Sequence, residues 1–221
     1  MNNPILITGV PRSGTSMTAG ILSLCGLWGG KMVGPTKWNT RGMFENSAVR
    51  NTVIKPYLRS IGVDPLGQFP LPPEDIIDHP FEATVLKAKV LHLFEEQGLN
   101  GKRWFYKEPK IVIMWKLWHE AFPEATFVVV RRKRDQIINS CLRTGFMRAF
   151  DNYDGWKWWT DNYLNRIKNM KKEISNFHEI WPEKMIDGDL FEIKQLVKNI
   201  GLEWNFAAVK NFIEPNLWKN K

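Results

Sequence analysis

The sequence predicts an α/β fold of three layers, with a central, mostly parallel sheet and helices on both of its faces. Short apolar runs alternate with segments of helical periodicity, three of the strand-like runs lead directly into helices, and no internal repeat interrupts the alternation. With 221 residues, 43% of them hydrophobic and 24% charged, the chain suits one domain over 1–221 with room for a buried core.

Taken in order, Ile5–Thr8 reads as the first strand and Gly14–Cys25 as the helix after it, closed by Gly26. Between 29 and 80 the periodicity breaks down, and seven of the thirteen prolines fall from Pro35 to Pro80. That segment is expected to be irregular, with short helices at most, and to carry substrate contacts. Phe81–Gln97 returns to helical spacing through Leu86, Val90, Leu93 and Phe94. Arg103–Tyr106 is a strand followed by a helix over Ile111–Phe122, and Thr126–Val130 is a strand followed by a helix over Arg134–Thr144. From Trp156 to Phe177 a stripe of large apolar residues predicts one long helix with a core-facing side, Arg166, Lys168, Lys171 and Lys172 forming its solvated face. A fourth strand is expected at Lys184–Ile186, then helices over Asp189–Ile200 and Asn205–Ile213.

Composition narrows the classes. No apolar run approaches the roughly 20 residues of a bilayer crossing, and Arg12 arrives too early for a signal peptide's apolar region. The two cysteines, Cys25 and Cys141, read as reduced thiols, so a cytoplasmic protein is expected. A net charge of +8 favours an anionic partner and leaves nucleic acid, acidic lipid and nucleotide phosphates open.

Gly9-Val10-Pro11-Arg12-Ser13-Gly14-Thr15-Ser16 follows an apolar strand and opens a helix. In that setting backbone N–H groups and the helix N-terminus converge on phosphate, and the hydroxyls and Arg12 argue for a ligand over an empty turn. Where a nucleoside-triphosphate loop carries lysine, this chain has Thr15. A second cationic site follows the Phe127–Val130 strand at Arg131 and Arg132, with Ser140 eight residues after Arg132; a guanidinium fork and a hydroxyl suit a phosphate.

Pro11-Arg12-Ser13-Gly14-Thr15-Ser16 resembles the donor loop of the sulfotransferase family, Pro-(Lys/Arg)-Ser-Gly-Thr-(Thr/Ser). The resemblance implies a P-loop-NTPase-like fold and the donor 3'-phosphoadenosine 5'-phosphosulfate (PAPS), held at its 5' end by this loop. It further implies a 3'-phosphate site at Arg131 or Arg132 with Ser140. Lys107-Glu108-Pro109-Lys110 is similar to a Lys-Asp-Pro-Arg segment of bacterial and tyrosyl-protein members, which gives Lys107 a role on the sulfonyl group. Gly42-Met43-Phe44-Glu45-Asn46 resembles a stretch in bacterial relatives, and glutamate bases occur among tyrosyl-protein and some carbohydrate members. Cytosolic small-molecule members use a histidine near the position of Pro109, where this chain has none, so Glu45 is the first candidate base and Glu108 the second, each with a structural ion pair as its alternative. The Arg-Lys-Gly loop of cytosolic members is not evident. His79, His92, His119 and His178 match no motif and read as structural or surface residues.

The expected activity is sulfonyl transfer from PAPS to a hydroxyl or amine by in-line displacement, leaving adenosine 3',5'-bisphosphate, with no metal. Arg12, Glu45 and Lys107 are the catalytic candidates; the acceptor is a small molecule, saccharide or peptide. A P-loop kinase is the competing enzyme, disfavoured by Thr15, and a basic nucleic-acid-binding module the competing non-enzyme, expected to bind polynucleotides with steep salt dependence.

Overall fold

In the computed structural model the described residues are 3–74 and 80–217. Strand β1 (Ile5–Gly9) lies between β2 (Phe105–Lys107) and β3 (Thr126–Val130), with β4 (Phe177–Ile180) outside β3, and all pairings are parallel. Leu6 is in register with Tyr106 on one side and Phe127 on the other. Successive strand residues face opposite sides of a sheet, so Leu6, Tyr106, Phe127 and Val129 enter one core while Ile5, Ile7, Phe105, Val128 and Val130 enter another. Burial on both faces explains why these strands read as continuous apolar runs rather than alternating ones.

Two helical layers cover those faces. On the second core lie α1 (Thr15–Leu24), α8 (Phe191–Asn199) and α9 (Phe206–Phe212), contributing Ile21, Leu22, Ile193, Val197 and Val209. Facing the first are α3 (Pro80–Glu96), α4 (Trp115–Ala121), α5 (Arg134–Leu142) and α6 (Tyr153–Glu173). The α6 stripe buries Trp156, Trp159, Tyr163, Ile167 and Met170, and both Trp159 Nε1 and Tyr163 Oη donate to the carbonyl of Gly67, at 3.0 and 2.9 Å. A core helix thereby fixes a loop of the irregular segment.

That segment holds a π-helix at Val49–Ile54 and α2 (Lys55–Ser60); residues 75–79, His79 among them, lie outside the described residues. Four expectations need correcting. The fourth strand is Phe177–Ile180, not Lys184–Ile186, which forms the end of α7 (Pro182–Ile186), started by a proline that fits the first helical turn. The long helix stops at Glu173, because Ile174 takes extended backbone (φ −93°, ψ 114°), and Phe177 opens β4. Arg166 is buried rather than solvated, donating to the carbonyls of Ile113 and Pro72. The expected helix over Ile111–Phe122 splits into a 3₁₀ turn at Pro109–Met114 and α4. Among the described residues no helix is long and apolar enough to cross a membrane.

The chain leaves β1 for β2 on one side and returns to β3 on the other. A crevice opens beyond the carboxyl ends of the strands at such a switch point.

Candidate active site

Three strands deliver residues to this crevice. After β1 the chain turns through Arg12 (φ 75°) and Gly14 (φ 99°) into α1. A non-glycine residue at such φ costs on the order of 1–3 kcal/mol, and bonds at both ends of Arg12 hold it there: Nε donates to Ser140 Oγ at 3.1 Å and its carbonyl accepts from Arg132 Nη1 at 2.9 Å. Gly9 (φ 149°) has no substitute, since a Cβ would sit 2.4 Å from the carbonyl oxygen of Val130. No side chain caps α1, and the first turn carries no acid, leaving its N-terminal N–H groups to a ligand. Ser13 is fully buried in the loop and its Oγ has no hydrogen-bond partner. An unpartnered buried hydroxyl beside uncapped helix N–H groups makes this loop a candidate anion site.

The second cluster adjoins the first. Arg132 follows β3, and its Nε donates to Gln136 Oε1 at 3.2 Å; Ser140 lies one turn further along α5. Burial draws the Arg132 guanidinium down to about 10, so it stays charged near neutrality, as does Arg12, which burial also lowers. Arg131 turns away. It pairs with Glu179 at 2.9 Å over the Trp181 ring, and it is absent from the cavity lining.

On the other flank Lys107, ending β2, is buried and bonds Glu45 Oε1 at 2.9 Å, while Arg50 Nη1 reaches Oε2 at 3.1 Å. Burial alone would raise the Glu45 carboxyl, but Lys107, Lys110 and Arg50 outweigh it and hold the group at about 2. Glu108 is engaged elsewhere: Oε1 accepts from Lys110 Nζ at 2.7 Å and from the Lys110 N–H at 3.2 Å, capping the 3₁₀ turn. Ser16 Oγ donates to the carbonyl of Met43 at 3.1 Å, tying the segment bearing Glu45 to the start of α1.

Arg12, Gly14, Thr15, Ser16, Glu45, Lys107, Arg132 and Ser140 line one cavity of about 600 Å³, with Pro11 beside them. Its volume is in the range of small-molecule and nucleotide sites. His92, His119 and His178 do not line it. Sequence reasoning missed Arg50, Lys55, Arg143 and the Trp38–Phe146 pair, which also line the cavity. Their segments carry no motif, and only the Pro-rich break in periodicity pointed toward Arg50, Lys55 and Trp38. Among the described residues no three His, Cys, Asp or Glu side chains gather as metal ligands.

Fold, loop and paired cationic clusters define a P-loop-like α/β protein with an anion-binding crevice. The Sulfotransferase family model matches residues 4–205, and the chain belongs to that family. Its fold is similar to the sulfotransferase domain of the Synechococcus PCC 7002 olefin synthase, at 13% identity and TM-score 0.61 over 99% of this chain and 81% of that one. It is also similar to sulfotransferase STF1 from Mycobacterium tuberculosis H37Rv, at 15% identity and TM-score 0.53 over 96% and 71%. No curated protein matches it by sequence.

Proposed function

We propose that the protein moves the sulfonyl group of PAPS to an acceptor hydroxyl or amine, leaving adenosine 3',5'-bisphosphate. The observation that carries this reading is the continuity of the cationic wall: Arg132 bonds Arg12, Arg12 bonds Ser140, and all three share a cavity with Lys107 and Glu45. Such a wall suits a ligand with phosphate at both ends. Ser140 accepts from Arg12 and keeps its own O–H to donate to a 3'-phosphate alongside Arg132. The unpartnered Ser13 hydroxyl and the uncapped start of α1 suit the 5' end.

PAPS supplies the electrophilic sulfur. The acceptor atom forms its bond to sulfur in line with the breaking bond to the 5'-phosphate oxygen, which keeps the electron pair beside Arg12. Glu45 takes the acceptor proton. In the resting site Lys107 and Arg50 share Glu45; turning Lys107 toward the sulfonyl oxygens frees Oε1 to take the proton, while Arg50 keeps Oε2, and places positive charge where negative charge builds. Glu45 is favoured over Glu108, whose carboxylate is fully buried and committed to Lys110.

Calorimetry tests the reading. Adenosine 3',5'-bisphosphate should bind more tightly than ATP or adenosine 5'-monophosphate. Arg132→Ala should weaken the bisphosphate by about 10- to 100-fold, the worth of a charge-assisted bond, and leave the monophosphate nearly unchanged. Equal affinity of the native protein for mono- and bisphosphate contradicts it.

A further inference from the structure

The cavity carries more positive charge than the proposed donor needs. Nine lysines and arginines and three glutamates line it, an excess of six, against roughly four negative charges on PAPS at neutral pH. Part of that surplus gathers near Glu45: Arg50 bonds its carboxylate, Lys110 acts on it electrostatically, and Lys55, which interacts with both, lines the same cavity. Arg50 is bound to Glu45 and Lys110 to Glu108, whereas Lys55 makes no ion pair among the described residues, and the charges acting on it are the cations Arg50, Lys110 and Arg59, with Glu108 as the one opposing acid. Partial burial, reinforced by repulsion from those cations, draws the Lys55 ammonium down.

The backbone is shaped to bring these cations together. Residues five apart on an α-helix are rotated by about 140° from one another and face different ways. The Val49–Ile54 turn is a π-helix, and the N–H of Lys55 bonds the carbonyl of Arg50, so both side chains reach the same cavity. Short π segments occur frequently at functional sites. Leu66, Phe146 and Met147 add apolar surface to the same cavity.

We infer that the acceptor is an anion: a hydroxyl- or amine-bearing molecule with an apolar body and a carboxylate, sulfate or phosphate group that sits on Lys55, Arg50 and Lys110 while its nucleophile faces Glu45. The inference rests on the donor reading above. It is tested on protein saturated with adenosine 3',5'-bisphosphate by calorimetric titration of 4-hydroxybenzoate and its neutral isostere 4-hydroxybenzamide. The anion should bind at least about tenfold more tightly, the scale of one charge-assisted contact. Lys55→Ala should bring the two to near parity and Lys55→Arg should keep the preference, each with the bisphosphate affinity unchanged. Equal binding of the two probes, binding of neither, or a preference that survives Lys55→Ala overturns the inference and leaves the donor reading standing. Failure of the bisphosphate itself to bind removes the donor reading, and this inference with it.

Discussion

Glu45 shows how one side chain is set for two states. Its oxygens are divided between Lys107 and Arg50, and the balance of burial against those cations leaves it ionised down to about 2. A group lowered from its ordinary 4.5 stabilises the fold above that value and loses the contribution as pH falls through the lower one. The stability gap between native protein and Glu45→Gln, read from urea midpoints, should therefore be full near neutrality and shrink below about pH 4.5. A constant gap would show that the ion pairs are not its source. The same substitution should lower turnover by about 10²- to 10⁴-fold, the usual worth of a general base, with bisphosphate affinity retained. Full activity in Glu45→Gln would remove the base role. Glu45 was legible only through the short Gly-to-Asn stretch around it; its pairing with Lys107 was not, because the two are far apart in sequence, nor was that with Arg50, five residues on, because it depends on the local backbone path into the π-helix.

At the scale of elements, what could be read was what is encoded locally. The β1 and β3 runs, Ile5–Gly9 and Thr126–Val130, are buried on both faces and flanked by turn residues, and the Pro11–Ser16 motif runs unbroken from the turn after β1 into the first turn of α1. β4 was hidden because Phe177 continues the spacing of the α6 stripe, and its His178 and Glu179 interrupt the apolar pattern of a core strand. The π-turn that aims Arg50 and Lys55 has no sequence signature at all. The β1 turn yields a sharp prediction: Gly9→Ala forces a methyl into the Val130 carbonyl and a side chain into φ 149°. It should cost on the order of 1–3 kcal/mol by chemical unfolding and abolish bisphosphate binding. Native stability with native affinity would show that the loop geometry has been misjudged. A second concerns α6. Tyr163→Phe removes one of two bonds to the Gly67 carbonyl, and it should cost about 1 kcal/mol while leaving the other to hold the loop. A far larger loss in the urea midpoint would give that hydroxyl a different role.

Across the whole molecule, the overall charge of +8 is concentrated where the sheet topology opens a crevice: the cavity alone carries an excess of six. Strand order β2-β1-β3-β4 places the carboxyl ends of β1, β2 and β3 side by side, so that Arg12, Lys107 and Arg132, from distant parts of the chain, line one cavity. A nucleic-acid surface would instead spread such charge over an exposed face. Topology of this kind was readable as a class, from strands each followed by a helix, but the order of the strands was not. Crystallising the protein with adenosine 3',5'-bisphosphate tests the central claim most directly. The 5'-phosphate should lie within hydrogen-bond reach of the backbone N–H groups of Gly14 to Ser16, and the 3'-phosphate should be held by Arg132 and Ser140. A bisphosphate seated elsewhere, or one whose 3'-phosphate points to solvent out of reach of Arg132 and Ser140, would contradict the account.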